Sequence, residues 1–84
     1  MPQYRLVPTR RFEDDFMELP KNVQRQVLNA LERIRVDPYR GQKLTGAKVG
    51  QRRYRVGDYR IRYDIEGLVV VLHVVRHRKE VYRR

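Results

Sequence analysis

Cysteine is absent from this 84-residue sequence, which excludes a disulfide framework, a thiolate zinc site and a cysteine nucleophile. Long apolar runs are absent as well. The longest, Leu68 to Val75, is interrupted by His73 and falls far short of the ~20 residues a membrane helix needs. The opening Met1-Pro2-Gln3-Tyr4 is not followed by the apolar stretch of a signal peptide, so the expectation is a soluble cytoplasmic protein with no membrane contact. There is no internal repeat, low-complexity segment or linker, and residues 1–84 read as a single domain. Also missing are an Asp/Glu cluster spaced for magnesium and a glycine-rich phosphate loop followed by lysine. Neither a metal nor another cofactor is therefore expected, and nucleotide-driven chemistry is disfavoured.

Negative charge is scarce. Twenty Lys+Arg against 10 Asp+Glu give a net charge of +10. Residues 1–42 hold 8 basic and 6 acidic side chains, whereas residues 43–84 hold 12 and 4, so the imbalance sits in the second half. Sixteen of the basic residues are arginine, whose planar fork pairs bidentately with phosphate. A localised field of this kind attracts polyanions.

The apolar pattern is helical first and extended later. Tyr4 to Val7 reads as a strand ended by Pro8. Thr9 is placed to cap a helix from Arg10 to Leu19, with Phe12, Phe16 and Leu19 on one face. Pro20 opens a second helix whose stripe is Val23, Val27, Ala30, Leu31 and Ile34, and Asp37-Pro38 stops it. Residues 39–50 lack a period and read as a loop. From Arg52 the period becomes two, with turns at Gly57-Asp58 and Glu66-Gly67. The aliphatic run Leu68 to Val75 reads as a central strand covered on both faces. The result is an α+β domain in which a helical hairpin covers one face of a mainly antiparallel sheet.

If the helices cover Tyr54, Val56, Tyr59 and Ile61, then Arg53, Arg55, Arg60 and Arg62 line the other face. The last strand brings Arg76, His77, Arg78, Glu80 and Tyr82 to one end of that surface. Lys48, Arg52 and Lys79 add positive charge around it, for contact with RNA. Such a set suits RNA cleavage without a metal: guanidiniums stabilise a charged phosphorane, an imidazole or carboxylate moves protons, and a phenol stacks on a splayed base. His73, inside the aliphatic strand, reads as structural, and Tyr59 and Tyr63 read as core. His77 leaves functional and decorative readings open.

Several strings resemble the RelE/ParE superfamily of type II toxin–antitoxin toxins. They are Phe12-Glu13-Asp14-Asp15-Phe16 with Leu19-Pro20, Asp37-Pro38, Leu44-Thr45-Gly46, Tyr54 to Ile61 with Tyr63, and His77 to Tyr82. The resemblance implies a RelE-like β-α-α-β-β-β fold and a cognate antitoxin encoded in the same operon, with operon DNA contacted only through that antitoxin. It implies cleavage of mRNA in the ribosomal A site by 2′-hydroxyl attack. On this resemblance Arg53 and Arg55 match a pair of basic residues on one strand and Arg60 matches a phosphate-binding arginine. Arg76 or Arg78 matches the arginine after the last strand, and Tyr82 matches a base-stacking tyrosine. Relatives often carry lysines where Arg53 and Arg55 stand. Arginine does not give up its proton, so His77 and Glu80 become the proton-transfer candidates. The alternative within the superfamily is a ParE-like inhibitor of DNA gyrase that shares the fold and cleaves no RNA.

Overall fold

The computed structural model describes residues 3–81, and for Glu80 and Val81 the backbone alone. The elements are β1 (Arg5–Pro8), α1 (Arg10–Met17), α2 (Lys21–Val36), a 3₁₀ turn (Pro38–Arg40), β2 (Gln42–Lys43), β3 (Arg52–Val56), β4 (Tyr59–Glu66), β5 (Val69–His77) and a final turn of helix, α3 (Arg78–Val81). The strands form one sheet in the order β1-β5-β4-β3-β2. Only the β1–β5 pairing is parallel.

Local chemistry sets the helix limits. The Thr9 hydroxyl accepts from the Phe12 N–H (3.1 Å) and donates to the His73 carbonyl (3.2 Å), so one side chain caps α1 and ties it to β5. Helix α1 ends at Met17, short of Leu19, because a residue before proline avoids the helical region. In α2 the buried stripe is Val23, Val27, Ala30 and Ile34, and Asp37-Pro38 ends the helix as expected. The Asp37 carboxylate accepts from the Tyr39 N–H (3.2 Å) and starts the 3₁₀ turn within the segment expected to be plain loop. The short strand β2 lies in that segment too.

The helices cover one face of the sheet. Against them lie Val56, Ile61, Tyr63, Val70, Leu72 and Val75, all buried. The expectation that the last strand is covered on both faces is not met. Burial along β5 alternates, leaving Val69, Val71, His73 and Val74 half-buried. Its β-branched composition signals extended backbone, and does not reveal how many faces are covered. A bulge explains the break in the alternation. Arg62 pairs with Val74 but Tyr63 pairs with Leu72, so β5 carries one extra residue at this point and both Leu72 and Val75 face the core.

Two anchors fix the long connection between the 3₁₀ turn and β3. The fully buried Tyr63 donates its hydroxyl to the Pro38 carbonyl at 2.6 Å. Burial pushes this phenol up to about 12, so it keeps its proton for Pro38. On the sheet face away from the helices, the Asp64 carboxylate accepts from the N–H groups of Gly50 (2.9 Å) and Gln51 (2.7 Å) and meets His73 Nε2 at 2.9 Å. Burial alone raises the Asp64 carboxyl, but these hydrogen bonds outweigh it and hold the group below the usual carboxylate range. His73 is thus structural, as read from the sequence.

Candidate functional site

Strand register turns scattered arginines into a row. Arg55 on β3 lies directly opposite Arg60 on β4, and Arg60 lies opposite Arg76 on β5. One step along, Arg53 faces Arg62. Directly opposed residues share a face, so these side chains leave the sheet on the side away from the helices. Like charges at such positions repel, and the row needs compensation.

Each member of the row finds it differently. Arg60 is only 6% exposed, and its Nη1 donates to the carbonyls of Gly57 and Tyr59, both at 3.0 Å. No carboxylate within the described residues pairs with it. The guanidinium is therefore fixed in orientation by partial negative charge while its full charge is left over. Arg76 turns toward α1, where its Nε lies 3.4 Å from Asp15 Oδ2. That carboxylate oxygen also accepts the Val75 N–H (3.3 Å). Arg55 is exposed and makes no ion pair among the described residues. A recess of about 370 Å³ opens at this place, lined by Arg40, Gln42, Arg53, Tyr54, Arg55 and Arg60. The Arg53 guanidinium is steadied by the Gln42 side-chain oxygen at 2.6 Å.

Other residues singled out in the sequence lie elsewhere. Arg62 shares the face but is committed to the connection, donating from Nε to the Gly50 carbonyl (2.7 Å) and from Nη2 to the Val49 carbonyl (3.2 Å). Arg52 leaves the sheet on the helix side, opposite Tyr63. It donates to the Gly41 carbonyl (2.9 Å) and lies over the Tyr39 ring at 4.9 Å. Both are thus fixed by the chain itself. Lys48 is exposed beside Arg52, in a recess that also holds Asp64 and Glu66. Arg78 and Lys79 are exposed on α3.

His77 leaves the sheet on the face opposite the arginine row, contrary to the shared face read from the sequence, although Arg76 lines the same recess. Alternation beyond the bulge returns it to the helix side of β5. There it meets the Tyr59 ring edge-on at 5.3 Å, in a recess with Asp15, Glu18, Leu19, Pro20 and Arg76. The Lys79 N–H occupies its Nδ1 at 3.2 Å. The Glu80 side chain and Tyr82 lie outside the described residues.

Three residues escaped the sequence reading. Asp15 signals only a favourable charge near a helix start, and its role depends on a contact 61 residues away. Arg40 sits in a segment without a period. The alternation places Tyr54 only on the apolar face of β3; it packs half-buried against the core and also lines the recess.

Comparison with known proteins gives this arrangement a context. The family model for the ParE toxin of the type II toxin–antitoxin system, parDE, matches residues 6–82. The chain belongs to the ParE toxin family. Among solved structures, this ParE-family chain is similar to one in the RelBE2 toxin–antitoxin complex from Mycobacterium tuberculosis. The TM-score is 0.81 and the identity 28%, over 89% of this chain and 98% of that one. A chain of the RelB–RelE antitoxin–toxin complex from Methanococcus jannaschii gives 0.73 and 23%, over 90% and 94%. One from the intact E. coli RelBE complex gives 0.76 and 20%, over 88% and 95%. At those identities the last two speak for the fold alone. No curated protein matches the sequence. The chain is thus a type II toxin of the RelE/ParE fold.

Proposed function

We propose that the toxin is a ribosome-dependent endoribonuclease that cleaves mRNA in the A site, and that a cognate antitoxin from the same operon covers its arginine surface. The observation that carries this reading is the Arg55–Arg60–Arg76 row, in which a nearly buried guanidinium is aimed by two carbonyls and has no carboxylate partner among the described residues. An uncompensated buried cation is costly, and a phosphate is the partner its fork suits. The solved complex that shares 28% identity with this chain pairs a toxin of the same fold with an antitoxin, which supports the proposed partner.

The chemistry follows from the groups present. The 2′-oxygen forms a bond to the adjacent phosphorus, its proton passes to a base, and the P–O5′ bond breaks as the 5′-oxygen gains a proton. The product is a 2′,3′-cyclic phosphate. Arg60 and Arg55 neutralise the phosphorane, where preorganised donors act most strongly. Arg53 and either Arg76 or Arg78 hold the flanking backbone. Tyr82 is assigned to stacking on the base. His77 and Glu80 are the candidates for moving the proton.

The test is cleavage of mRNA on stalled ribosomes, with the product ends sequenced. Arg60→Ala is expected to lose about 10²- to 10³-fold in rate, the usual effect of removing one such donor. A second reading, a gyrase inhibitor, draws on the match to a family described by ParE. No cleavage by the wild-type protein, together with blocked gyrase supercoiling, would replace the first reading with the second.

A further inference from the structure

Beyond Arg53 the outer edge of β3 has no strand beside it among the described residues, because β2 pairs only with Arg52 and Arg53. Tyr54 sits on this uncovered stretch, packs half-buried against the core and lines two recesses. One holds Arg40, Gln42, Arg53 and Arg60. The other holds Gln26, Asn29 and Arg33. Arg55 borders both. Neither recess contains a carboxylate, whereas the polar recesses elsewhere on the molecule hold Asp64 and Glu66, or Asp15 and Glu18. Arg40 is exposed and has no ion pair within the described residues. The recess on its side, about 370 Å³, falls in the roughly 300–1,000 Å³ span of small-molecule sites. Cations in two recesses that share one aromatic residue fit the pattern by which proteins hold a single strand: guanidiniums track the backbone and a ring takes a base.

We infer that Arg40 and Tyr54 form an accessory nucleotide subsite beside the arginine row, Arg40 pairing with a phosphate and Tyr54 stacking on the adjoining base of single-stranded RNA. The inference rests on the RNA reading above and extends it to residues outside the row. The 3₁₀ turn that carries Arg40 is held by the buried Tyr63 hydroxyl on Pro38, so the cation is presented on a fixed support. The strand would leave the scissile phosphate at Arg55 and Arg60 and run along the uncovered edge of β3.

The probe is a fluorescently labelled RNA hexamer, bound to the full chain without ribosomes and followed by anisotropy over a range of salt. Arg40→Ala is expected to weaken binding and to reduce the slope of log affinity against log salt by about 0.7, one phosphate's share on a single strand. Tyr54→Leu, which keeps apolar bulk, is expected to weaken binding about tenfold, while Tyr54→Phe binds as wild type. Circular dichroism and thermal melts of all three variants report whether the fold is kept. If the wild-type protein binds the hexamer with these dependences but cuts no mRNA on ribosomes, the subsite stands and the nuclease reading falls. If it cleaves normally and folded Arg40→Ala and Tyr54→Leu bind the hexamer as wild type does, the subsite is overturned.

Discussion

Replacing Asp64 by asparagine is expected to loosen the connection that leads into β3, by an amount that the geometry allows to be worked out. The carboxylate accepts the Gln51 N–H on one oxygen and both the Gly50 N–H and His73 Nε2 on the other. An asparagine turned to keep the Gln51 bond presents its NH₂ to the other two. His73 adapts by changing tautomer, but the N–H of buried Gly50 then faces a donor. A buried donor left unsatisfied costs about 1–3 kcal/mol, and the Gln51 bond also loses its charge assistance. A total of about 2 kcal/mol corresponds to a melting temperature lower by about 8–16 °C in a domain this small. The pH dependence gives a second readout. Because the folded carboxyl titrates below its unfolded value near 3.9, it contributes stability above that pH and loses it as pH falls through the folded value. The gap between wild type and Asp64→Asn, measured by urea unfolding, should be full at pH 7 and narrow below about pH 4. A gap under about 0.5 kcal/mol at neutral pH, within the range of ordinary surface substitutions, would refute the claim that Asp64 holds the connection. So would a gap that does not change with pH.

Other perturbations test separate parts of the structure. In Gly41→Ala the new methyl would collide with the Tyr63 hydroxyl and lie 3.1 Å from the Arg53 carbonyl, so a loss of about 1–3 kcal/mol is expected in urea unfolding. Adding Tyr63→Phe to that variant removes the nearest atom and should restore part of the loss; strict additivity would contradict the packing described. Thr9→Ala removes the α1 cap and the bond to His73, for a drop of about 1 kcal/mol in the same assay. Asp15→Asn releases Arg76 from its carboxylate, so the protein should bind the RNA hexamer a few-fold more tightly at low salt. Unchanged affinity would mean that Arg76 does not face the ligand.

The parts of this fold that the sequence revealed are those governed by near neighbours. Thr9 as a cap, the α2 stripe, Asp37-Pro38 as a stop and the glycine turns all act within a few residues. The alternation of Arg53 and Arg55 with Tyr54 and Val56 likewise assigned faces correctly on β3 and β4. What stayed hidden depends on contacts between distant segments. The β5 bulge cannot be read from an unbroken aliphatic run, and it sets which side receives His77. The commitment of Arg62 to Gly50 and of Arg52 to Tyr39 and Gly41 follows from where a connection without a period settles on the sheet. Composition counts arginines but does not distinguish those that hold the chain from those that remain for a ligand.

The arginine row also bears on how long the molecule lasts. Facing guanidiniums on neighbouring strands work against the sheet that holds them. A polyanion that settles there relieves this opposition and adds its own binding free energy, about 2.7 kcal/mol at a concentration one hundred times its dissociation constant. The empty protein is then expected to unfold more readily than one whose row is occupied.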